Sequence, residues 1–114
     1  SYRGTAGTHV AHISLGYVAD MQLELIQPIS GESIYTEFLT QNPSGGLHHV
    51  CVEVDDLDEA LTRTDLPVVQ RGSMAGDAIR FAYLGGADRG VPYLELAQLT
   101  DVMRDFFASL KESA

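Results

Sequence analysis

Two glutamates stand in the middle of apolar runs, Glu24 in Leu23-Glu24-Leu25-Ile26-Gln27 and Glu95 in Leu94-Glu95-Leu96-Ala97-Gln98. Successive side chains of a strand point to opposite faces. If Leu23, Leu25, Leu94 and Leu96 belong to a core, both glutamates point to the other face. That face is either solvated, as one side of an antiparallel sheet commonly is, or it encloses something that compensates the carboxylates. His49 shares this property. Alternation over residues 47–54 puts His49 with Cys51 and Glu53, and His48 with Val50, Val52 and Val54. One imidazole and two carboxylates suit a divalent cation such as Zn, Co, Ni or Mn, although spacings this long form no motif by themselves. His12 lies on the strand expected to pair with that of Glu24. It is the candidate general base, because an imidazole titrates near neutrality. His9 is expected to be exposed, His48 to pack toward the core or a helix, and Cys51 to be a small buried residue rather than a nucleophile. Arg71, Arg80 and Arg89 either meet an anionic substrate group or are scattered surface residues.

The elements that must position these residues follow from periodicity and punctuation. Residues 8–18 and 21–27 read as two strands joined by an Ala19-Asp20 turn, with Pro28 ending the second. Residues 31–42 read as a short helix capped by Ser33, with Ile34/Phe38 and Tyr35/Leu39 as its apolar stripe. Asn42-Pro43-Ser44-Gly45-Gly46 is the clearest loop and the expected boundary between two halves. A strand follows over 47–54. Asp56 then caps a helix, with Glu59 at the capping-box position and Leu57, Ala60 and Leu61 inside. Strands are expected over 67–71, 78–84 and 91–98, with a loop at 85–90. Thr100 caps a closing helix whose Val102, Phe106 and Leu110 form the expected inner stripe. The order ββα, βαβββ, α predicts an α+β fold with a sheet covered on one side.

The chain has 114 residues, which suits one domain. It carries 7 basic and 16 acidic residues, a formal charge of −9. That balance argues against nucleic acid and against an anionic membrane surface. At 45% hydrophobic and 20% charged, there is enough apolar side chain for a core. A single cysteine excludes an intrachain disulfide framework and a thiolate zinc knuckle. No apolar run approaches the ~20 residues of a membrane span. No basic-then-apolar opening marks a signal peptide, so a cytoplasmic location is expected. There is no phosphate-cradling glycine loop and no nucleophile elbow.

The two glutamate runs are one pattern, Leu-Glu-Leu-x-Gln, repeated at an offset of 95 − 24 = 71 residues. Each instance closes a pair of strands. The second half reads βαβββ; the first half matches only its last two strands and is expected to lack the opening β-α-β. Residues 1–114 then form a single domain. It comprises a partial first module (8–28), a linking helix (33–42), a second βαβββ module (47–98) and a C-terminal helix (100–114). A shortened module leaves a sheet edge to cover, so a homodimer is expected.

Glu24 in its Leu-Glu-Leu-Ile-Gln-Pro run, Gly46-Leu47-His48-His49-Val50 leading into Val54-Asp55-Asp56, and Tyr93-Leu94-Glu95-Leu96 together resemble the vicinal oxygen chelate superfamily. That superfamily includes glyoxalase I, extradiol dioxygenases and bleomycin-resistance proteins. Within it, the chain looks most similar to the methylmalonyl-CoA epimerase family and its glyoxalase-like relatives. The likeness covers about residues 8–98, and the Gly-Leu-His-His segment with the Asp-Asp helix start is its most specific part. The resemblance implies paired βαβββ modules forming a cupped mixed sheet around a divalent metal ion (Co, Ni, Zn, Mn or Fe). It maps the metal ligands to Glu24, His49 and Glu95. The family's first histidine ligand lies on an opening strand that this chain does not show. The family's catalytic carboxylate falls at His12.

A metal-dependent epimerase, isomerase or lyase is therefore expected, acting on a small molecule with a carbonyl group. In such chemistry the cation chelates the substrate and stabilises the enolate left when an α-proton departs. Two other functions compete. A non-catalytic binding protein of the same fold, as in antibiotic sequestration, would suit a cationic ligand and the acidic charge. An iron oxygenase would need a second histidine from the absent strand.

Overall fold

The computed structural model describes residues 2–4, 6–87 and 90–113. Arg89, one of the three arginines singled out above, lies outside them. The elements are β1 (Val10–Val18), β2 (Met21–Ser30), α1 (Ile34–Gln41), β3 (His49–Glu53), α2 (Leu57–Thr62), β4 (Val68–Met74), β5 (Ile79–Gly85), β6 (Tyr93–Leu99) and α3 (Asp101–Ser113). The class is α+β, as the element order predicts.

Four strands form a cupped mixed sheet in the order β3-β6-β5-β4. β3 runs parallel to β6, and the other neighbours are antiparallel. The parallel pair needs a crossover, which α2 and the β4-β5 hairpin supply. β1 and β2 make a separate two-stranded ribbon, the partial first module. The cores lie on the two faces of the larger sheet. On one face α1 seats Ile34 and Tyr35 against Phe81, Tyr83, Tyr93 and Ala97. On the other, Leu57 of α2 packs on Ala82, Leu84 and Leu96.

The helix starts follow their predicted caps. Ser33 has extended backbone, and its hydroxyl accepts from the Tyr35 and Thr36 N–H groups; the Thr36 hydroxyl closes a capping box. The Asp56 carboxylate accepts from the Glu59 N–H at 3.1 Å. Glu59 turns its own carboxylate to Arg63 rather than back to the cap. Gly31 has φ +81°, and a Cβ there would run into the Thr8 carbonyl oxygen, so this bend between β2 and α1 requires glycine.

Four expectations are corrected. β2 does not end at Pro28 but continues to Ser30; Pro28 faces Ala11 beside a register shift, where a missing ladder donor is tolerated. Leu23 and Leu25 are exposed rather than core, because α1 and the large sheet lie on the Glu24 and Ile26 face of the ribbon. Val102 and Phe106 are exposed too. The helical stripe one position on, Met103 and Phe107, is the one that meets the core cluster, and the Tyr17 hydroxyl donates to the Phe107 carbonyl at 3.1 Å. Cys51 is exposed, since edge strand β3 has a neighbour on one side alone.

Candidate active site

The Leu94 and Leu96 side chains fill the α2 face, so alternation sends Glu95 into the cup. There it stands in one row across the sheet with Cys51 on β3, Tyr83 on β5 and Gln70 on β4. His49 opens β3 one row away, opposite Tyr93. Glu24 arrives from the ribbon. The three meet at one atom: His49 Nε2 lies 3.5 Å from Glu24 Oε1 and 3.3 Å from Glu95 Oε1. Their side chains retain 10% (His49), 26% (Glu24) and 14% (Glu95) of their exposure. Thus the structure brings together the three residues that alternation and resemblance single out.

The electrostatics follow from this placement. Burial alone would depress the His49 imidazole, but its hydrogen bonds and charge interactions with Glu24 and Glu95 prevail and push it up to about 9. Metal-free His49 is therefore an imidazolium at neutral pH. His48 shows the reverse. Burial, with His49 beside it, holds it down to about 4. Although Cys51 is exposed as a residue, its thiol is turned toward Glu95, and desolvation there with the Glu95 and Glu24 carboxylates pushes it well above its ordinary range, which disfavours a nucleophilic thiolate.

Tyr83 and Tyr35 wall the trio; the sequence marks Tyr35 only as part of the α1 apolar stripe and does not single out Tyr83. The Tyr83 ring meets His49 edge-on at 4.9 Å between centroids, and the two phenol oxygens are 2.9 Å apart. Burial raises both phenols, Tyr35 to about 12, so they stay neutral donors. Alternation over residues 79–85 does place Phe81 and Tyr83 on one face; the signal missing from the sequence was which strand neighbours β6. Gln70 is also buried in this layer. Its Oε1 accepts from the Ile34 N–H at 3.1 Å, while its Nε2 has no hydrogen-bond partner among the described residues.

His12 is not brought to the trio. It pairs with Gln27, whereas Leu15 pairs with Glu24, so His12 projects from the opposite face of the ribbon and is exposed. Arg71 and Arg80 both reach Asp58, at 3.0 and 3.4 Å, rather than the cup. A cavity of about 580 Å³ lined by Tyr2, His9, Gln70, Arg71 and Phe81, among others, holds none of the trio.

The donor chemistry of Glu24, His49 and Glu95 fits a divalent cation. Among the described residues, however, no group of three or more His, Cys, Asp or Glu side chains is arranged to hold a metal ion; in the trio His49 Nε2 lies directly against the two carboxylates, at 3.5 and 3.3 Å.

Comparison with known proteins fits this picture. The glyoxalase/bleomycin resistance protein/dioxygenase superfamily profile matches residues 1–83, well over half of the chain. The chain belongs to this superfamily. The match takes in Glu24 and His49 and stops before Glu95. Superfamily relatives include the mitochondrial methylmalonyl-CoA epimerase of Mus musculus, 40% identical over 55 residues, 48% of this chain and 29% of that protein. The mitochondrial enzyme of Dictyostelium discoideum is 48% identical over 40 residues, covering 35% of this chain and 24% of that one. The ethylmalonyl-CoA/methylmalonyl-CoA epimerase of Cereibacter sphaeroides is 43% identical over 42 residues, 37% of this chain and 31% of that one. The alignments thus span about a quarter to a third of these relatives' length. A hypothetical protein from Bacillus halodurans C-125 shares the fold, with a TM-score of 0.62 at 22% identity over 80% of this chain and 68% of that one. No helix among the described residues is long and apolar enough to cross a membrane.

Proposed function

We propose that the cup is the divalent-cation site of an epimerase-type reaction on a carbonyl substrate, with an acyl-CoA thioester of the malonyl type as the substrate class. The observation that carries this reading is the convergence of Glu24 and Glu95, from the two halves of the chain, on His49 Nε2. Those three residues would hold the cation. When bound, it would supply Lewis-acid stabilisation of the negative charge that builds on a carbonyl oxygen as the α-proton leaves.

The chain's own residues set the conditions for that step. His49 Nε2 carries a proton in the metal-free protein and must release it to become a ligand. Tyr35 and Tyr83 wall one side of the trio and keep a neutral hydroxyl pair there. Glu24 keeps the most open side chain of the three and so faces arriving substrate. His12, on the other face of the ribbon, has no part in this arrangement. The names of the epimerase relatives support the substrate class.

Two measurements test the reading. Equilibrium dialysis against Co²⁺ and Zn²⁺ should retain close to one ion per wild-type chain and lose it in Glu95→Ala, with the far-ultraviolet spectrum unchanged. In deuterium oxide, the loaded protein should exchange the α-proton of methylmalonyl-CoA, read by NMR. Unchanged ion content in Glu95→Ala would overturn the ligand set. Absence of exchange by an ion-loaded wild type would overturn the reaction class.

A further inference from the structure

His48 lies just before β3, in a box of aromatic rings. Tyr93, Tyr35 and Phe38 stand 4.6, 5.1 and 5.2 Å away between centroids. Its backbone is pinned as well, because its carbonyl accepts from the Tyr93 N–H at 3.2 Å. The ring makes two polar contacts: Nε2 lies 3.4 Å from the Ile34 carbonyl oxygen, and Nδ1 lies 2.8 Å from Nδ1 of His49.

With His48 neutral and both contacts hydrogen bonds, each proton has an assigned direction. A carbonyl oxygen only accepts, so His48 Nε2 carries a proton. A neutral imidazole has one N–H, which leaves His48 Nδ1 with a lone pair. His49 Nδ1 must then be the donor across the 2.8 Å contact. A neutral His49 protonated at Nδ1 has its lone pair at Nε2, the atom facing Glu24 and Glu95. The acceptor at the far end is immobile: Ile34 is fully buried at the start of α1, and its N–H is held by Gln70.

We propose that His48 is a positioning residue, which fixes the tautomer and ring plane of His49 by accepting its Nδ1–H while itself donating to the Ile34 carbonyl. The two rings stand at 87°, so the bond sets the plane of His49 and not only its protonation. Partners that hold the second nitrogen of a ligand histidine typically contribute 10–100-fold in metal affinity. The role rests on the reading of His49 as a cation ligand. The hydrogen bond itself belongs to the metal-free protein and can be measured without any ion.

The experiment uses the full 114-residue chain, labelled with ¹⁵N and stripped of metal. Long-range ¹H–¹⁵N spectra report the tautomer of each histidine, and ¹⁵N–¹⁵N coupling through the hydrogen bond reports the His48–His49 contact directly. The expected result is His48 as the Nε2–H tautomer, with its Nδ1 coupled to His49 Nδ1. His48→Phe keeps an aromatic ring in the box; it should lose the downfield His49 Nδ1 proton and weaken Zn²⁺ binding about 10–100-fold. His48→Asn places an acceptor oxygen where Nδ1 was and should restore both. A His48 ring protonated at Nδ1, or a His48→Phe variant that binds Zn²⁺ like wild type, would overturn the proposal. If the coupling is present and wild type binds no ion, the bond direction stands and the cation reading fails.

Discussion

Glu24 and Glu95 lie 95 − 24 = 71 residues apart in identical Leu-Glu-Leu-x-Gln surroundings, and both point a carboxylate oxygen at the same nitrogen of His49. The repeat in sequence is thus a repeat in space about one imidazole. Two carboxylates this close disfavour each other's charge unless a cation stands between them. In the metal-free protein, the imidazolium of His49 takes that place. If the trio holds a divalent ion, as proposed, the ion would take over this compensation once His49 gives up its Nε2 proton.

Each carboxylate should therefore be separately measurable. Glu95→Gln and Glu24→Gln keep side-chain size and remove one negative charge beside a largely buried imidazolium. Each should cost about 1–3 kcal/mol in urea denaturation at pH 7. Each should also lower the midpoint of the His49 titration seen by NMR. Glu95 is the more enclosed partner, so its replacement should cost more. Equal stability of the wild type and both variants would mean that the trio is solvated and uncoupled.

Stability of the metal-free protein should depend on pH in two opposite limbs. The folded His49 value of about 9 exceeds its ordinary 6.5, so its contribution is complete below pH 6.5 and fades as pH rises through 9. The folded His48 value of about 4 lies below 6.5, so its contribution is present above pH 6.5 and fades as pH falls toward 4. These two groups place the maximum near pH 6.5, with His49 contributing on the order of 3 kcal/mol at most. Thermal unfolding from pH 5 to 9.5 should show Tm falling on both sides. A Tm that climbs steadily from pH 6.5 to 9 would rule out the buried imidazolium.

Cation binding should show the same proton from the other side. An ion must displace the His49 proton at any pH below about 9. One proton released per ion makes affinity rise about tenfold per pH unit and then level off above that value. Calorimetry of Co²⁺ binding in two buffers of different ionisation enthalpy at pH 7 should count that proton. A release near zero would place the ion on groups other than His49.

Much of this was legible in the residues, for identifiable reasons. Alternation in β3 and β6 is clean, and the α2 caps are strong, so the cup face of His49 and Glu95 could be read directly. The ribbon was harder. Alternation separates Leu23 and Leu25 from Glu24, but it cannot say which side meets the rest of the protein; here both sides carry apolar residues, and the Leu23 and Leu25 side faces outward. His12 is a different case. The two-residue Ala19-Asp20 turn sets Val18 opposite Met21, which by counting places Leu15 opposite Glu24 and His12 opposite Gln27, on the other face; the register was encoded in the turn, and shared strand pairing alone does not make His12 a neighbour of Glu24. In α3, two stripes one position apart are equally helical, and only the tertiary contact selects Met103 and Phe107 over Val102 and Phe106. The Tyr35–Tyr83 pair joins α1 to the sheet across 48 residues, beyond the reach of periodicity.

The start of α1 supports the site from a distance and can be tested by itself. Ser33 is 1% exposed, and its hydroxyl accepts from the Tyr35 N–H at 3.2 Å. In return, the Thr36 hydroxyl accepts from the Ser33 N–H at 3.0 Å. Ser33→Ala removes the cap oxygen and leaves the Tyr35 N–H buried without its partner. The loss should be about 1–2 kcal/mol in urea denaturation, with Ser33→Thr recovering most of it. The first turn also carries the Ile34 carbonyl and the Tyr35 ring against which His48 is set. Loosening it in Ser33→Ala should therefore broaden the His48 and His49 imidazole resonances at temperatures where the fold is intact. A variant with wild-type stability and sharp resonances would show that the Gln70 bond to the Ile34 N–H holds this turn unaided.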